Sequence, residues 1–449
     1  MQEHRRDVIR KLVHMAMGLF ALLLRYLTPW QAALCALAAL AHNVWLLPRL
    51  WGRYLYRSDE QTLGRVPIGI IAYPLSVLLL ILVFGTHPYV VAAAWAMMAF
   101  GDGLAGLTGP WVGRVRWPWN PRKTVEGSLA YVGGAFLGSW ALLMWTTGGR
   151  VPTGLPLRDE AAFFLWTPLA VSLLTAVLEA LDLRLNDNLT IPLSAGALLY
   201  MAYHVPWDDL AWTPSVAQVL LALGLNWVIG GTAWSLGWVS ASGFWSGWVV
   251  GVVTFLAGGW RAYLLLLALF VGGSLATRWA RDVKAARGLA ESPRDWRSAV
   301  AKAGLPALLT VWWALAPSDH RAWIAAGLVA AYAAGLMDTV ASEVGKGLGG
   351  AAFLWWAGRS VPVGTPGAVS VVGTAAGLAA GAGLVGLGAG LWGLPVAWVP
   401  WMIVAVAVAN FLESFLGHTL RSRGLATAYE LNAVLVVLAA VLTMGVVRS

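Results

Sequence analysis

The sequence is poor in charge and in cysteine. Only 11% of its 449 residues are Asp, Glu, Lys or Arg, whereas 59% are hydrophobic. A soluble protein of this length needs a more highly charged surface, so the composition excludes an ordinary soluble enzyme. The single cysteine, Cys35, lies in an apolar run, which excludes a disulfide framework. The net charge of +9 indicates basic loops beside anionic lipid headgroups, and no aromatic-basic pattern favours nucleic acid.

Long apolar runs are abundant. Each is about 20 residues long, enough to cross a bilayer, and backbone groups in hydrocarbon must bond internally, so each run predicts a helix. The sequence thus predicts an all-α polytopic integral membrane protein with about 14–15 transmembrane helices in two helical-bundle domains. The runs lie near residues 12–28, 30–48, 66–84, 88–108, 127–146, 161–181, 189–203, 213–236, 242–258, 260–278, 301–316, 322–341, 368–391, 395–415 and 429–447.

The basic residues predict the orientation of the chain. Excess Lys and Arg marks cytoplasmic loops. If the N-terminus is cytoplasmic and the predicted helices are counted as successive crossings, every basic cluster and most polar helix ends lie on the cytoplasmic side. The acidic loop 204–212 then falls outside, and it marks the predicted boundary between domains 1–208 and 209–449. The two halves share no obvious internal repeat. The basic clusters are 5–11, 49–65, 114–123, 278–302 and 421–423.

The stretch GDGLAGLTG at 101–109 ends an apolar run on an acid, and PRKTVEGS follows it at 121–128. Asp102 is costly in lipid unless it faces protein, water or a metal, and the glycines admit a bulky ligand. The chain has 25 arginines and five lysines, so Lys123 indicates a point charge for phosphate. With Glu126, these residues favour Mg-nucleotide chemistry. The alternative is a Lys123–Glu126 ion pair at a helix end.

Two more stretches of the first half carry polar residues. RKLVH at 10–14 precedes a lipid helix, and its alternative interpretation is an interfacial anchor. In LEALDLRLNDNLTIPL at 178–193, Glu179 and Asp182 share a helix face. Asp187 and Asn188 form a turn before the next helix, where Asp187 would alternatively act as a cap.

The second half repeats the theme of acids at helix ends. GLMDTVASEVG at 335–345 contains Asp338 and Glu343. VPVGTPGAVSVVGT at 361–374 offers backbone N–H groups and hydroxyls suited to phosphate oxygens. NFLESFLGHTL at 410–420 places Glu413 in an apolar helix, where the alternative is a buried acid paired with His418 or an arginine.

The ordered motifs of residues 8–203 resemble the phytol kinase and dolichol kinase family and, more distantly, phosphatidate cytidylyltransferase. They are R-K-x-x-H, G-D-G-x-A-x-x-x-G, K-T-x-E-G-S and E-A-L…D-N-x-T-I-P. The resemblance implies transfer of a phosphoryl group, typically from CTP, to an isoprenoid alcohol such as phytol or geranylgeraniol.

Residues 216–445 resemble the membrane family that contains phytyl-phosphate kinase. The carrying motifs are D-T-x-A-S-E-x-G, G-T-P-G-A-V-S-x-x-G-T and E-S-x-x-G-H-T-L. The chain departs from that family at Glu413, where Asp is commoner, and at Ala301–Ala303, where an alanine–asparagine–glycine turn is usual. The second departure removes Lys302 from the predicted site.

Together the resemblances imply a bifunctional salvage kinase that makes a prenyl monophosphate and then the diphosphate, with Mg²⁺ and CTP or another nucleoside triphosphate. The open alternatives are a membrane cytidylyltransferase making a CDP-lipid and a lipid transporter or flippase. The predicted catalytic residues are Asp102, Lys123, Glu126, Glu179, Asp187, Asp338 and Glu343. The predicted substrate-binding or phosphate-binding residues are Arg10, Lys11, His14, Gly101, Gly103, Thr124, Ser128, Asn188, Thr339, Ser342, Gly364, Thr365, Gly367 and Ser370. The predicted metal ligands are Asp102, Glu126, Asp338, Glu343 and Glu413.

Overall fold

A computed structural model describes residues 2–50, 67–181, 183–207, 212–289, 293–348 and 350–448. Asp182, most of the basic cluster 49–65 and part of the loop 204–212 lie outside these residues. The helices are α1 Gln2–Met17, α2 Pro29–Leu50, α3 Ile68–Phe84, α4 Pro88–Val112, α5 Val125–Thr147, α6 Ala162–Ala180, α7 Asp187–Tyr203, α8 Val216–Ser235, α9 Ala241–Arg278, α10 Arg281–Ala286, α11 Trp296–Leu315, α12 Arg321–Leu348, α13 Val371–Trp392, α14 Val396–Arg421 and α15 Ala428–Arg448. The strands are β1 Arg116–Trp117, β2 Asn120–Thr124, β3 Ala352–Leu354 and β4 Arg359–Val361.

The predicted fold class is confirmed, because the described residues include 11 helices long and apolar enough to cross a membrane. This number is smaller than the 14 or 15 counted from sequence. The runs 242–258 and 260–278 form one helix, α9, which kinks at Gly259 (φ 61°, ψ −160°). Helices α3 and α7 have 17 residues each, at the lower limit of the length that crosses a bilayer.

The chain forms two compact units, Met1–Asp208 and Asp209–Ser449. In the first unit the most buried spanning helix is α4, in which 78% of the residues in its apolar 18-residue stretch are buried. In the second unit it is α12, with 83% buried. Small buried residues allow neighbouring helices to approach these two closely, as at Ala92–Ala94 in α4 and at Ala330, Ala331, Ala333 and Ala334 in α12. The C-terminal half of each central helix carries predicted acids: Asp102 in α4, and Asp338 and Glu343 in α12.

A short antiparallel hairpin follows each central helix. In the first unit β1 pairs with β2, and Arg116 lies opposite Thr124. In the second unit β3 pairs with β4, and Ala352 lies opposite Val361. A side-chain hydroxyl then caps the next helix: Thr124 accepts from the N–H of Gly127, and Ser370 from that of Gly373.

Candidate functional sites

Three acids of the first unit converge. One carboxylate oxygen each of Asp102, Glu179 and Asp187 lies within 4.8 Å of the other two. They come from α4, α6 and α7. Their side chains are 13%, 4% and 33% exposed respectively, so Asp187 is the most accessible member. Like charges this close and this buried repel strongly, so the cluster needs cations to exist.

Two lysines supply that charge. Lys11 Nζ lies 2.7 Å from Asp102 Oδ2 and also donates to the Asp102 carbonyl at 3.2 Å. Lys123 Nζ donates to Glu179 Oε1 and, at 3.1 Å, to Asp187 Oδ2. Burial alone would lower the pKa of Lys123, but the carboxylates of Asp187 and Glu179 outweigh it and raise that pKa. Lys123 is therefore fully charged at neutral pH.

The local backbone explains how Asp102 reaches this position. The turn Met97–Asp102 of α4 is π-helical, a widening often found at functional sites. His14 lies beside it, with Nε2 3.6 Å from Asp102 Oδ2 and 3.2 Å from the Met98 carbonyl oxygen. Both neighbours are acceptors, so a protonated Nε2 would orient the Asp102 carboxylate.

The predicted glycines make room for this packing. A Cβ at Gly103 would lie 2.3 Å from a Met15 side-chain carbon, and one at Gly106 would lie 2.3 Å from the Lys11 Cε. A Cβ at Gly101 would lie 2.9 Å from the ring of Tyr131. The glycines therefore admit α1 and its lysine rather than leaving open space for a ligand.

The remaining binding residues predicted in the first unit have structural partners. Arg10 forms an ion pair with Asp7 at 3.6 Å. Ser128 accepts a hydrogen bond from Trp117 Nε1 at 3.0 Å, and Asn188 Nδ2 donates to the Gly69 carbonyl at 3.0 Å. The capping alternative for Asp187 is wrong, because Asn186 accepts from the N–H of Asn188 and is the cap.

Glu126 does not join the acid cluster, and it does not pair with Lys123. Its carboxylate accepts from the backbone N–H of Val115 at 3.2 and 3.3 Å, so it closes the hairpin loop instead. The predicted metal pair of Asp102 and Glu126 is thus not brought together, and Glu179 and Asp187 stand in place of Glu126. Glu126 was predicted from the K-T-x-E-G-S motif at the start of the next helix, whereas Glu179 and Asp187 were predicted as catalytic residues from a separate stretch.

The second unit contains a lysine–acid pair of the same kind. Lys302 Nζ lies 2.7 Å from Asp338 Oδ2 and donates to Thr339 Oγ1 at 2.6 Å. Lys302 lies in a π-helical turn, Val300–Gly304. Lys302 was left out of the predicted site, but it contacts two of the predicted site residues, so its exclusion was wrong. The departure from the family's usual turn hid it, although a lysine in a chain with five was a usable signal.

Glu343 lies between two lysines. Its Oε2 is 2.5 Å from Lys284 Nζ and its Oε1 is 2.9 Å from Lys346 Nζ. The side chains of Lys284 and Glu343 are each 2% exposed. Both carboxylate oxygens are occupied, which favours a role in positioning the lysines over the predicted metal ligation. Among the described residues, Asp338, Glu343 and Glu413 do not converge as the acids of the first unit do.

The glycine-rich loop between β4 and α13 is a tight turn. Gly364 and Gly367 have φ of 93° and 75°, and a Cβ at Gly367 would lie 2.1 Å from the Ser414 carbonyl oxygen. Thr365 Oγ1 donates to the Pro362 carbonyl, and Ser342 Oγ donates to the Thr339 carbonyl. The glycines let this loop pack against α14 near Glu413.

A cavity of about 650 Å³ lies inside the second unit. All nine second-half residues predicted for the site line it, and so does Lys302. They are Asp338, Thr339, Ser342, Glu343, Gly364, Thr365, Gly367, Ser370 and Glu413. Arg294 and Arg421 also line the cavity, and the sequence did not mark them as site residues. The structure therefore brings the second-half motifs together around one space of ligand size.

The two units repeat one local arrangement. Asp102 and Asp338 each pair with a lysine at 2.7 Å, and each is followed seven residues later by a glycine, Gly109 or Gly345. That glycine packs against the capping hydroxyl after the hairpin: added Cβ atoms would lie 3.3 Å from Thr124 Oγ1 and 2.9 Å from Ser370 Oγ. The correspondence resides in backbone geometry and single positions, which is why no repeat was visible in the sequence.

The acids of the first unit suit a hard divalent cation. Mg²⁺ takes oxygen ligands at about 2.0–2.1 Å, so its ligands lie about 3–4 Å apart, close to the spacing of these carboxylates. Asp102, Glu179 and Asp187 would hold it, and Lys11 and Lys123 would then be free to contact phosphate oxygens. In the second unit Asp338 and Glu413 offer fewer carboxylates, and more ligands would have to come from a bound phosphate.

Comparisons with known proteins place the chain in a family. Residues 224–434, within the second unit, match the family described as integral membrane protein DUF92. The chain is 42% identical to the uncharacterized membrane protein sll0875 of Synechocystis sp. over 188 residues, which are 40% of this chain and 71% of that protein. No solved structure matches the chain.

Two relatives carry more informative names. Protein VTE6 of Arabidopsis thaliana is 31% identical over 47% of this chain, which covers 64% of VTE6, slightly less than two thirds. The phytol kinase of Synechocystis sp. is 30% identical over 44% of this chain and 81% of the kinase. The chain is therefore homologous to phytol kinases, and its residues 224–434 match the DUF92 family of integral membrane proteins.

Proposed function

We propose that the protein is a bifunctional prenol kinase. The first unit would phosphorylate a prenyl alcohol such as phytol or geranylgeraniol, and the second would convert the monophosphate to the diphosphate. CTP or another nucleoside triphosphate would be the donor, with Mg²⁺. One observation supports this most: each unit carries a lysine–acid site of the same local design, Lys11–Asp102 and Lys302–Asp338. Homology to phytol kinases supports the reaction class.

In the first unit the chain's own residues would orient donor and acceptor. A bound Mg²⁺ would neutralise charge on the triphosphate. Lys11 and Lys123 would bind phosphate oxygens through charge-assisted hydrogen bonds. Asp187 would hold the Mg²⁺ ion through Oδ2, and its other oxygen, Oδ1, is the best-placed proton acceptor for the alcohol, because Asp187 is the most exposed of the three acids and Lys123 contacts only Oδ2. The alcohol oxygen then bonds to the γ-phosphorus as the nucleoside diphosphate leaves.

In the second unit the nucleophile is a phosphate oxygen, which is already anionic near neutral pH. A strong general base is therefore unnecessary, and positioning dominates. Lys302 would hold Asp338 and Thr339 toward the cavity, while Arg294 and Arg421 would bind the incoming phosphate. The N-terminus of α13, capped by Ser370, adds a partial positive charge at the cavity wall.

The orientation that follows is a cytoplasmic N-terminus with both sites open to the cytoplasm, where nucleotide is available. The basic loops favour this orientation.

The decisive experiment gives purified protein geranylgeraniol or phytol with CTP and Mg²⁺ and measures products by mass. Wild type should yield the diphosphate and CDP. Asp102→Asn should yield no phosphorylated alcohol yet still convert supplied monophosphate, and Asp338→Asn should accumulate monophosphate. Asp319→Asn is the control, because that acid is 77% exposed and does not line the cavity.

Three results would overturn the proposal. Pyrophosphate with a CDP-lipid would identify a cytidylyltransferase. Unchanged products from both Asp102→Asn and Asp338→Asn would remove the site assignment, and a protein that moves prenyl phosphates without chemical change would identify a transporter.

A further inference from the structure

The cavity of the second unit has two chemically different parts. Its polar part contains Lys302, Asp338, Glu413 and the loop 364–370. Its other part is lined by apolar side chains of α8 and α9, among them Ile229, Ala233, Phe244, Val250, Leu266 and Phe270. We call this second part the apolar arm. A space with a charged end and an apolar arm fits an amphiphile rather than a nucleotide alone.

A polar pair marks the far end of the apolar arm. Tyr263 Oη donates to Asn226 Oδ1 at 2.9 Å, and Asn226 Nδ2 donates to the Ala222 carbonyl at 2.8 Å. On α8 the first residue that lines the cavity is Asn226. On α9 the last lining residue before the kink at Gly259 is Val250, and the first one after the kink is Tyr263. Gly251 packs against Asn226, since a Cβ there would lie 1.8 Å from Asn226 Oδ1. On α8 and on both parts of α9, the lining of the cavity therefore ends at the same depth along the helices.

The length of the apolar arm follows from helix geometry. The polar part is level with Gly273, because a Cβ there would lie 2.9 Å from Arg294 Nη2 and 3.3 Å from the Thr339 methyl. Tyr263 precedes Gly273 by ten residues of α9, which is about 15 Å of helix. An extended carbon chain advances about 1.3 Å per bond, so the arm takes about twelve chain carbons, or about three isoprene units.

We propose that the Asn226–Tyr263 pair is the stop that sets the prenyl chain length accepted by the second unit. This inference rests on the proposed function of that unit. The polar part adds room for the first carbons after the phosphate, so the longest chain fully accommodated has three to four isoprene units. A longer chain would meet a hydrogen-bonded pair that it cannot replace.

The test measures binding rather than turnover. A fluorescent farnesyl monophosphate bound to the full-length protein in nanodiscs is displaced by geranyl, farnesyl, geranylgeranyl and geranylfarnesyl monophosphates. Wild-type affinity should rise with each unit up to geranylgeranyl and gain nothing at geranylfarnesyl. Tyr263→Ala opens the end and should raise the relative affinity for geranylfarnesyl by about tenfold or more.

A second variant shortens the apolar arm. Gly247 lines the cavity one helical turn nearer the polar part than Gly251, and a Cβ there meets no atom within 4 Å. Gly247→Leu should therefore weaken geranylgeranyl binding relative to geranyl by about tenfold or more without disturbing the fold. Gly231→Leu is the matched control, because Gly231 also has open space but does not line the cavity.

The outcomes separate the two proposals. If wild type binds all four lipids and neither Tyr263→Ala nor Gly247→Leu changes their order, the length stop is refuted while the proposed function stands. If wild type binds none of the prenyl monophosphates, the second kinase step and the length stop are both refuted. An equal shift in Gly231→Leu would attribute the effect to the helix rather than to the cavity and would also refute the stop.

Discussion

Replacement of Lys284 by methionine should destabilise the second unit strongly. Methionine has similar length but no charge, so Glu343 would keep only Lys346 as a cationic partner. Breaking a buried ion pair from one side costs about 3–5 kcal/mol, because a charge remains without its partner. Lys284 and Glu343 are each only 2% exposed, but Lys346 offsets part of the loss, so we expect about 3 kcal/mol.

The matched control is Lys346→Met, which removes the other cation from the same carboxylate. Lys346 is 22% exposed and the remaining Lys284–Glu343 pair stays intact, so the loss should be about 1 kcal/mol or less. The double variant Lys284→Met/Glu343→Leu removes both buried charges and should recover most of the stability lost in Lys284→Met.

Thermal unfolding in detergent, followed by tryptophan fluorescence, reports these changes, since the chain has 28 tryptophans. A loss of 3 kcal/mol corresponds to a Tm decrease of about 6–12 °C for a unit of this size. Equal decreases in Tm for Lys284→Met and Lys346→Met would refute the argument that burial makes the Lys284–Glu343 pair contribute more to stability than the Lys346–Glu343 pair. Diphosphate formation by the double variant would further show that Glu343 is not an essential metal ligand.

Three further predictions concern the two lysine–acid sites and the glycine-rich loop. The Lys302→Met protein should produce prenyl monophosphate that is not converted further, as measured by product mass. Lys302→Arg should retain part of the second step, because arginine still gives Asp338 a cationic partner. The carboxylates of Asp187 and Glu179 raise the pKa of Lys123 above its ordinary value of 10.5, so Lys123 stays protonated throughout the range from about pH 6 to 9. Lys123→Arg should therefore leave the pH profile of the first step unchanged in that range, and a new inflection there would contradict this. Gly367→Ala should abolish the second step or unfold the second unit, because its φ is 75° and the Cβ meets the Ser414 carbonyl; wild-type activity and Tm would show that the loop adapts.

Composition and run length were sufficient to predict the membrane fold. Apolar runs of spanning length determine helices regardless of what they pack against, so their positions follow from sequence. What sequence did not show was helix continuity and helix geometry. The glycine kink joins two predicted spans into α9, and the π-turns that carry Asp102 and Lys302 leave no pattern in hydropathy.

The candidate sites were predictable to the extent that they lie in local motifs. The motif around Asp338 and the glycine-rich loop are each contiguous in sequence, and both line one cavity. The partners of charged residues were not predictable, because they come from distant helices. Lys11 reaches Asp102 from α1, and Lys123 reaches Glu179 across more than fifty residues, whereas Glu126 was predicted from the K-T-x-E-G-S motif at the start of the next helix.

The charge of the two sites differs in the direction that a two-step reaction requires. In the first unit three carboxylates face two lysines, which suits a neutral alcohol and a Mg-nucleotide. In the second unit four basic and four acidic side chains line the cavity, and Lys284 adds another cation behind Glu343. A prenyl monophosphate carries about −1.5 to −2 charges near neutral pH, so its site needs cations that an alcohol site does not. The same lysine–acid arrangement, surrounded by more basic side chains in the second unit, would therefore accept a phosphate in place of an alcohol and use the same donor. Swapping the acceptors tests which unit takes which acceptor: Asp102→Asn should respond to added monophosphate but not to alcohol, and Asp338→Asn to alcohol but not to monophosphate.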